Sequence, residues 1–205
     1  MFSFCTISFF VAHVGGIPQN RALLYIVGTP SNASDMIWPE PIATKNVKKL
    51  LDKPQKGQES WYPKSATMLG NLMRLLGKME TQGDDPSDTY FMDICQSAKM
   101  GDKIKLNCSP TLTRTRAMAG GYYVSSHSRM LKTTEMLRLQ GFPEKRINFK
   151  DVKYTSASGK KLTVSERALR GMVGNAMSVS VVGRIMWAAL QACELISGDV
   201  PDPWA

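Results

Sequence analysis

From Ser178 to Ile196 the chain runs through Val179, Val181, Val182, Ile185, Met186, Trp187, Leu190, Leu195 and Ile196. A helix over this stretch carries apolar side chains on nearly every face, so it has to be buried against other elements. No other segment constrains the fold as strongly. Immediately before it stand Gly174 and Asn175, which read as a tight turn. Glycine adopts backbone angles that a side chain forbids, and asparagine bonds locally or holds a ligand. The first amides of the helix that follows lack intrahelical partners and can receive a carboxylate or another anion.

Upstream the pattern is mixed. Residues 4–12 and Leu23–Val27 read as strands, with a turn at Gly15-Gly16-Ile17-Pro18. The second strand is an apolar run without alternation, which suits burial on both faces of a mixed or parallel sheet. Met68, Leu69, Leu72, Met73, Leu75, Leu76 and Met79 recur at helical spacing and predict an amphipathic helix over Ala66–Met79, its methionines filling core space. The acidic stretch Thr81–Ser87 reads as a flexible tip, and a short strand is expected within Asp102–Leu112. A short helix is expected over Thr133–Leu139, with Thr133 as N-cap and Glu135 in the first turn, where negative charge is favoured. Ser165–Met172 reads as a further helix. Arg129 and Glu135, six residues apart, read by themselves as a surface pair worth under about 1 kcal/mol. His127 reads as a polar loop residue.

The 205 residues suffice for one substantial domain, or a core with a smaller module. Cys5, Cys95, Cys108 and Cys193 lie far apart, and only His13 and His127 are available to join them, so neither a metal site nor a disulfide framework is expected. A reducing compartment follows. Residues 1–12 are apolar but lack a basic leader and a small-residue cleavage site, so they read as a strand or a domain edge, not a signal peptide. No transmembrane span is expected. The formal charge of +9 is concentrated: residues 99–170 hold 16 Lys and Arg against 5 Asp and Glu, while the rest holds 10 against 12. A charge run by itself reads as a solvated basic face, and a field this localised also attracts a polyanion, most commonly nucleic acid.

Three separated segments resemble the C-terminal part of the DNA cytosine-5 methyltransferases. Gly16-Ile17-Pro18-Gln19-Asn20-Arg21-Ala22-Leu23 is similar to the family's Pro-Gln-x-Arg-x-Arg block and the strand after it. Arg129 to Pro143, ending Leu139-Gln140-Gly141-Phe142-Pro143, is similar to the block that joins the target-recognition domain to the catalytic core. Gly174-Asn175 with its helix is similar to the block that completes the S-adenosylmethionine pocket. Ser109-Pro110-Thr111-Leu112-Thr113, followed by Gly120-Gly121, resembles the recognition domain.

The resemblance implies an α/β fold: part of a Rossmann-like, S-adenosylmethionine-dependent methyltransferase with an inserted irregular α+β recognition lobe. It divides the chain into catalytic-fold strands (1–44), the recognition lobe (45–128), and the lobe hinge with the final catalytic-fold helices (129–205). Enzymes of this family flip the target base, add a cysteine thiolate to carbon 6 and methylate carbon 5, with a carboxylic acid assisting at N3. By resemblance Arg21 and Gln19 support the active site. Asn175, Ala176 and Met177 line part of the cofactor site. Thr111, Thr113, Arg114, Arg116, Arg129 and Arg138 face the DNA.

Other parts of the family pattern are not in this sequence. No cysteine follows a proline, and there is no Phe-x-Gly-x-Gly loop and no Glu-Asn-Val string. Leu23 stands where the second arginine of the first block would be, and it has no hydrogen-bond donor to offer a base. The chain alone is therefore expected to be inactive. It is expected to be a split subunit, a gene fragment or a non-catalytic remnant, and to bind DNA. Its C-terminal helix is expected to dock a complementary catalytic half or a second copy. The alternatives are a basic nucleic-acid-binding module without this ancestry and a fragment of a tRNA cytosine-5 methyltransferase. The expected location is the nucleus in a eukaryote and the cytoplasm otherwise.

Overall fold

The computed structural model describes residues 2–10, 14–54, 61–143 and 153–204. The basic residues Lys145, Arg146 and Lys150, His13, and the last two residues of the strand expected over 4–12 lie outside them. Helices and strands are mixed, as the sequence implies. β1 (Phe2–Phe10) and β3 (Ala22–Pro30) pair antiparallel along their whole length, from Phe2 opposite Pro30 to Phe10 opposite Ala22. The expected burial of the second strand on both faces does not hold. Leu23, Tyr25 and Val27 are half-buried and pack towards the C-terminal helix, whereas Leu24 and Ile26 are each 64% exposed. A two-stranded ribbon with a helix on one side leaves its other face to solvent.

β2 (Gln19–Asn20) pairs with β6 (Ser109–Pro110), the one parallel ladder among the described residues. The largest sheet is antiparallel, in the order β5 (Ile104–Leu106), β4 (Tyr90–Met92), β7 (Tyr123–Val124), β8 (Arg129–Met130). It contains the strand expected within 102–112, and through β8 it continues past residue 128. α1 (Ala66–Gln82) buries Leu72, Leu75 and Met79 against Tyr90, Met92, Ile94 and Tyr123 of this sheet region. The helix outruns its expected end at Met79 and stops at Gly83, which takes the left-handed φ of 72° that favours glycine. The acidic stretch beyond is anchored, because the Tyr90 hydroxyl donates to Asp84 at 2.9 Å.

α2 (Arg114–Met118), α3 (Thr133–Arg138) and α4 (Glu166–Asn175) surround a second core of Leu51, Phe91, Leu112, Tyr122, Val124, Leu131, Met136, Leu139 and Val173. A hairpin of β9 (Lys153–Thr155) and β10 (Lys161–Thr163) precedes α4. Thr133 is the first helical residue of α3, not its N-cap. Lys132 holds that place, and its backbone N–H donates to the Glu135 carboxylate at 2.8 Å.

Gly174-Asn175 is not a turn. Both residues belong to α4, and the chain leaves the helix only at Ala176, where the backbone is extended. Gly174 is needed for space instead of for an unusual φ: a Cβ there would stand 2.5 Å from the Thr113 carbonyl oxygen. α5 (Val179–Ala192) follows and ends four residues before the expected Ile196. Its buried side presents Val181, Ile185, Ala188 and Ala192 to β3 and Ile17. Burial is nonetheless incomplete, since Met186 is 57% exposed. The tail returns over α5. The Trp204 ring lies where a Cβ on Gly183 would be, 2.6 Å away. Arg184, buried in the middle of α5, donates to the Val14 and Glu40 carbonyls at 2.6 and 2.7 Å and pairs with Asp202.

His127 is tied into the structure and is not a free loop residue. Its Nε2 lies 2.9 Å from the Asp52 carbonyl oxygen and its Nδ1 2.9 Å from Ser126 Oγ. Burial first, and then the Arg129 guanidinium, hold its pKa below the ordinary 6.5. The unfolded chain therefore binds this proton more readily than the folded one. The contribution of His127 to stability is full above pH 6.5 and is lost as the pH drops from there through the folded pKa. Asp52 does not share this window. Burial acts to raise its pKa, but the hydrogen bonds from Lys132 and Arg138 hold it below 3.8. Urea melts between pH 7 and pH 5 should show decreasing stability, and His127→Gln should flatten the decrease. An unchanged slope in the variant would refute the assignment.

Candidate nucleic-acid interface and cofactor block

Three stretches far apart in the sequence close on one joint. Arg21, between β2 and β3, donates from Nη1 to the Ala176 carbonyl oxygen at 2.8 Å, across 155 residues. Gln140 is buried between the two C-terminal helices. Its Nε2 donates to the Val173 carbonyl at 3.3 Å, its Oε1 accepts from the Ser178 hydroxyl at 3.2 Å, and its backbone carbonyl accepts from Val179 N at 2.9 Å. That last bond uses the first amide of α5, one of those expected to be open to an anion. Ser180 Oγ donates to the Gly15 carbonyl at 2.9 Å. Gly141 has a φ of 75°, and a Cβ there would lie 3.1 Å from Ile17 Cδ1 and 3.4 Å from Ser180 N. The segments around residues 17–21, 140–141 and 174–180 are thus bonded to one another, although each was legible only as a separate string.

Gln19 lies beside this joint and is fully buried, paired through its backbone with Ser109. Neither end of its side-chain amide finds a partner among the described residues. Leaving such a group unsatisfied costs roughly 1–3 kcal/mol. Leu23 packs into the apolar layer under α5.

The three expected cofactor residues part company. Ala176 and Met177 line a groove of about 690 Å³ beside α5, with Phe142, Met186, Trp187 and Trp204. Asn175 opens into a different cleft between α2 and α4. The groove walls are apolar, and no Asp or Glu is among the described residues that line them. A sulfonium cofactor with ribose hydroxyls and an ammonium group needs acceptors that this groove does not provide. S-adenosylmethionine as a whole does not fit here, and these residues offer at most an apolar wall to it.

The expected DNA-facing residues also divide. Arg129 is 6% exposed and forms two hydrogen bonds to fully buried Glu135, at 2.8 and 2.6 Å. It faces inward, and the surface pair expected from spacing is a buried one. Arg138 donates to the Leu50 carbonyl at 2.7 Å and to Asp52 at 2.6 Å. Arg116 pairs with buried Asp93 at 2.8 Å. The Thr111 hydroxyl donates to the Asn20 carbonyl at 2.7 Å, and Thr113 Oγ1 accepts from Arg116 N as the cap of α2. Arg114 alone of the six is an exposed side chain without such a partner among the described residues. Cys95 and Cys108 are both half-buried and their pKa values are pushed up by burial, so neither is a ready thiolate.

Sequence reasoning missed Arg167 on the same cleft as Arg114, and the hub role of Arg184. Arg167 had only its position in the basic third of the chain to mark it. Arg184 had one signal, a lone charge within an apolar helix.

The joint thus brings three family-like blocks together beside a basic cleft. The model of the C-5 cytosine-specific DNA methylase family matches residues 4–190, nearly the whole chain. The chain belongs to this family, whose role is methylation of cytosine at carbon 5 in DNA. No individual curated protein matches it.

Proposed function

We propose that the chain supplies the DNA-recognition part and the closing joint of a cytosine-5 methyltransferase, and that a second polypeptide supplies the nucleophilic cysteine, the catalytic acid and the Gly-rich cofactor loop. The observation that carries this reading is the 2.8 Å bond from Arg21 to the Ala176 carbonyl, which unites two blocks that have reason to meet only in that fold. The partner would cover the exposed face of β3 at Leu24 and Ile26 and the groove along α5, two apolar surfaces on one side each of the same packed layer. The acceptor-poor groove agrees with a cofactor site that is only partial in this chain. The residues here hold the joint and bind the nucleic acid, and no covalent step is assigned to them.

Incubating the chain with unmethylated duplex DNA and labelled S-adenosylmethionine should give no methyl transfer. Adding a family member's segment that carries the Pro-Cys and Glu-Asn-Val strings should be required for transfer. Methylation by the 205-residue chain alone would overturn the proposal.

A further inference from the structure

We infer that the cleft between α2 and α4 seats a phosphate of the DNA backbone between Arg114 and Arg167; this rests on the nucleic-acid reading above and makes it specific. Six arginines between residues 99 and 170 are described. Four are committed internally: Arg116 to Asp93, Arg129 to Glu135, Arg138 to Asp52 and Arg170 to Glu166. The two that remain, Arg114 and Arg167, are exposed, have no acidic partner among the described residues, and line the same cleft of about 380 Å³. Ser165 and Asn175 add a hydroxyl and a side-chain amide to its walls, and no Asp or Glu is among the described residues lining it.

The cleft is built by close helix packing. On α4, Gly171 leaves room for Met118, whose Sδ would be 3.1 Å from a Cβ, and Gly174 abuts the Thr113 carbonyl. Arg114 begins α2 and Arg167 lies in the first turn of α4, so two short helices hold both stems on rigid backbone. Guanidinium groups present planar forks of N–H donors that match phosphate oxygens, and two of them in one cleft can hold a phosphodiester from both sides. The nearest acid in the chain, Glu166, is held by Arg170 and Thr133 and is not among the cleft's lining residues. Among the described arginines of the charge run, two side chains are thereby left for the ligand, one of which was not among the residues expected to face DNA.

The test is duplex DNA binding by the full chain across a salt series, with tRNA in parallel. Arg114→Gln and Arg167→Gln should each weaken duplex binding about three- to ten-fold. The double variant should lower the slope of log affinity against log salt by about 0.9, the share of one phosphate. Arg114→Lys should keep most of the slope, because it retains the charge at that position. Matching thermal midpoints would exclude misfolding as the cause. If the wild-type chain binds duplex DNA and the double variant binds it with the same affinity and slope, this inference fails while the nucleic-acid reading stands. If the wild type does not bind duplex DNA, or binds only tRNA, the DNA reading fails and this seat with it.

Discussion

Replacing Glu135 with alanine should destabilise the chain by about 3–5 kcal/mol, the cost of leaving a buried charge without its partner. The Glu135 carboxylate accepts four hydrogen bonds: two from Arg129, one from the Asp52 backbone N–H at 2.9 Å and one from the Lys132 backbone N–H at 2.8 Å. Its removal strands the Arg129 guanidinium, which is 6% exposed, along with two backbone donors. The loop at Asp52 would lose its attachment to α3, and Asp52 in turn holds Lys132 and Arg138. The pair itself is a different matter. Two buried ions gain little net energy over well-packed apolar residues, so the double variant Arg129→Met, Glu135→Leu should recover much of the loss. Urea denaturation of the three proteins measures this. A loss under 1 kcal/mol for Glu135→Ala would mean that the pair is solvated in solution.

Gly174→Ala should destabilise the chain by about 1–3 kcal/mol or more, against the trend for glycine inside a helix. By intrinsic propensity, alanine at a helical glycine gains up to about 1 kcal/mol. At Gly174 the new methyl would sit 2.5 Å from the Thr113 carbonyl oxygen, 2.7 Å from its carbon and 2.8 Å from Ala117 Cβ. Two of those atoms are backbone and cannot rotate away, so α4 would have to lift from α2. Gly70 in α1 provides the contrast, because a Cβ there meets nothing within 4 Å. Gly70→Ala should therefore be neutral or stabilising. Thermal and urea melts of the two variants should show opposite signs, and a stabilised Gly174→Ala would refute the close packing. The same packing forms the Arg114–Arg167 cleft, so Gly174→Ala should also weaken DNA binding at low salt.

Much of the secondary structure was legible in periodicity. The heptad-like run Met68–Met79 specified α1, and the apolar stretch after Ser178 specified α5, because spacing along one chain determines which side chains share a helix face. The family strings were legible too, and the family match covers them. The site was less so. The family resemblance implied that Arg129, Arg138 and Arg116 face DNA, yet each is held by an acid supplied from another element: Glu135 in α3, Asp52 and Asp93. Arg138 and Asp52 are 86 residues apart, beyond what any local pattern encodes.

Gly174-Asn175 shows where that division falls. The sequence by itself determined that a glycine stands before an apolar helix in a chain with a basic third and three separated blocks. Tertiary structure decided that this glycine is a packing contact and not a turn, that Asn175 faces a different cleft from Ala176 and Met177, and that Arg21 reaches Ala176. The physical reason is range. Helix and strand propensities act over a few residues, whereas ion pairing, buried amides and the space left for a Cβ depend on atoms brought together only when distant segments pack.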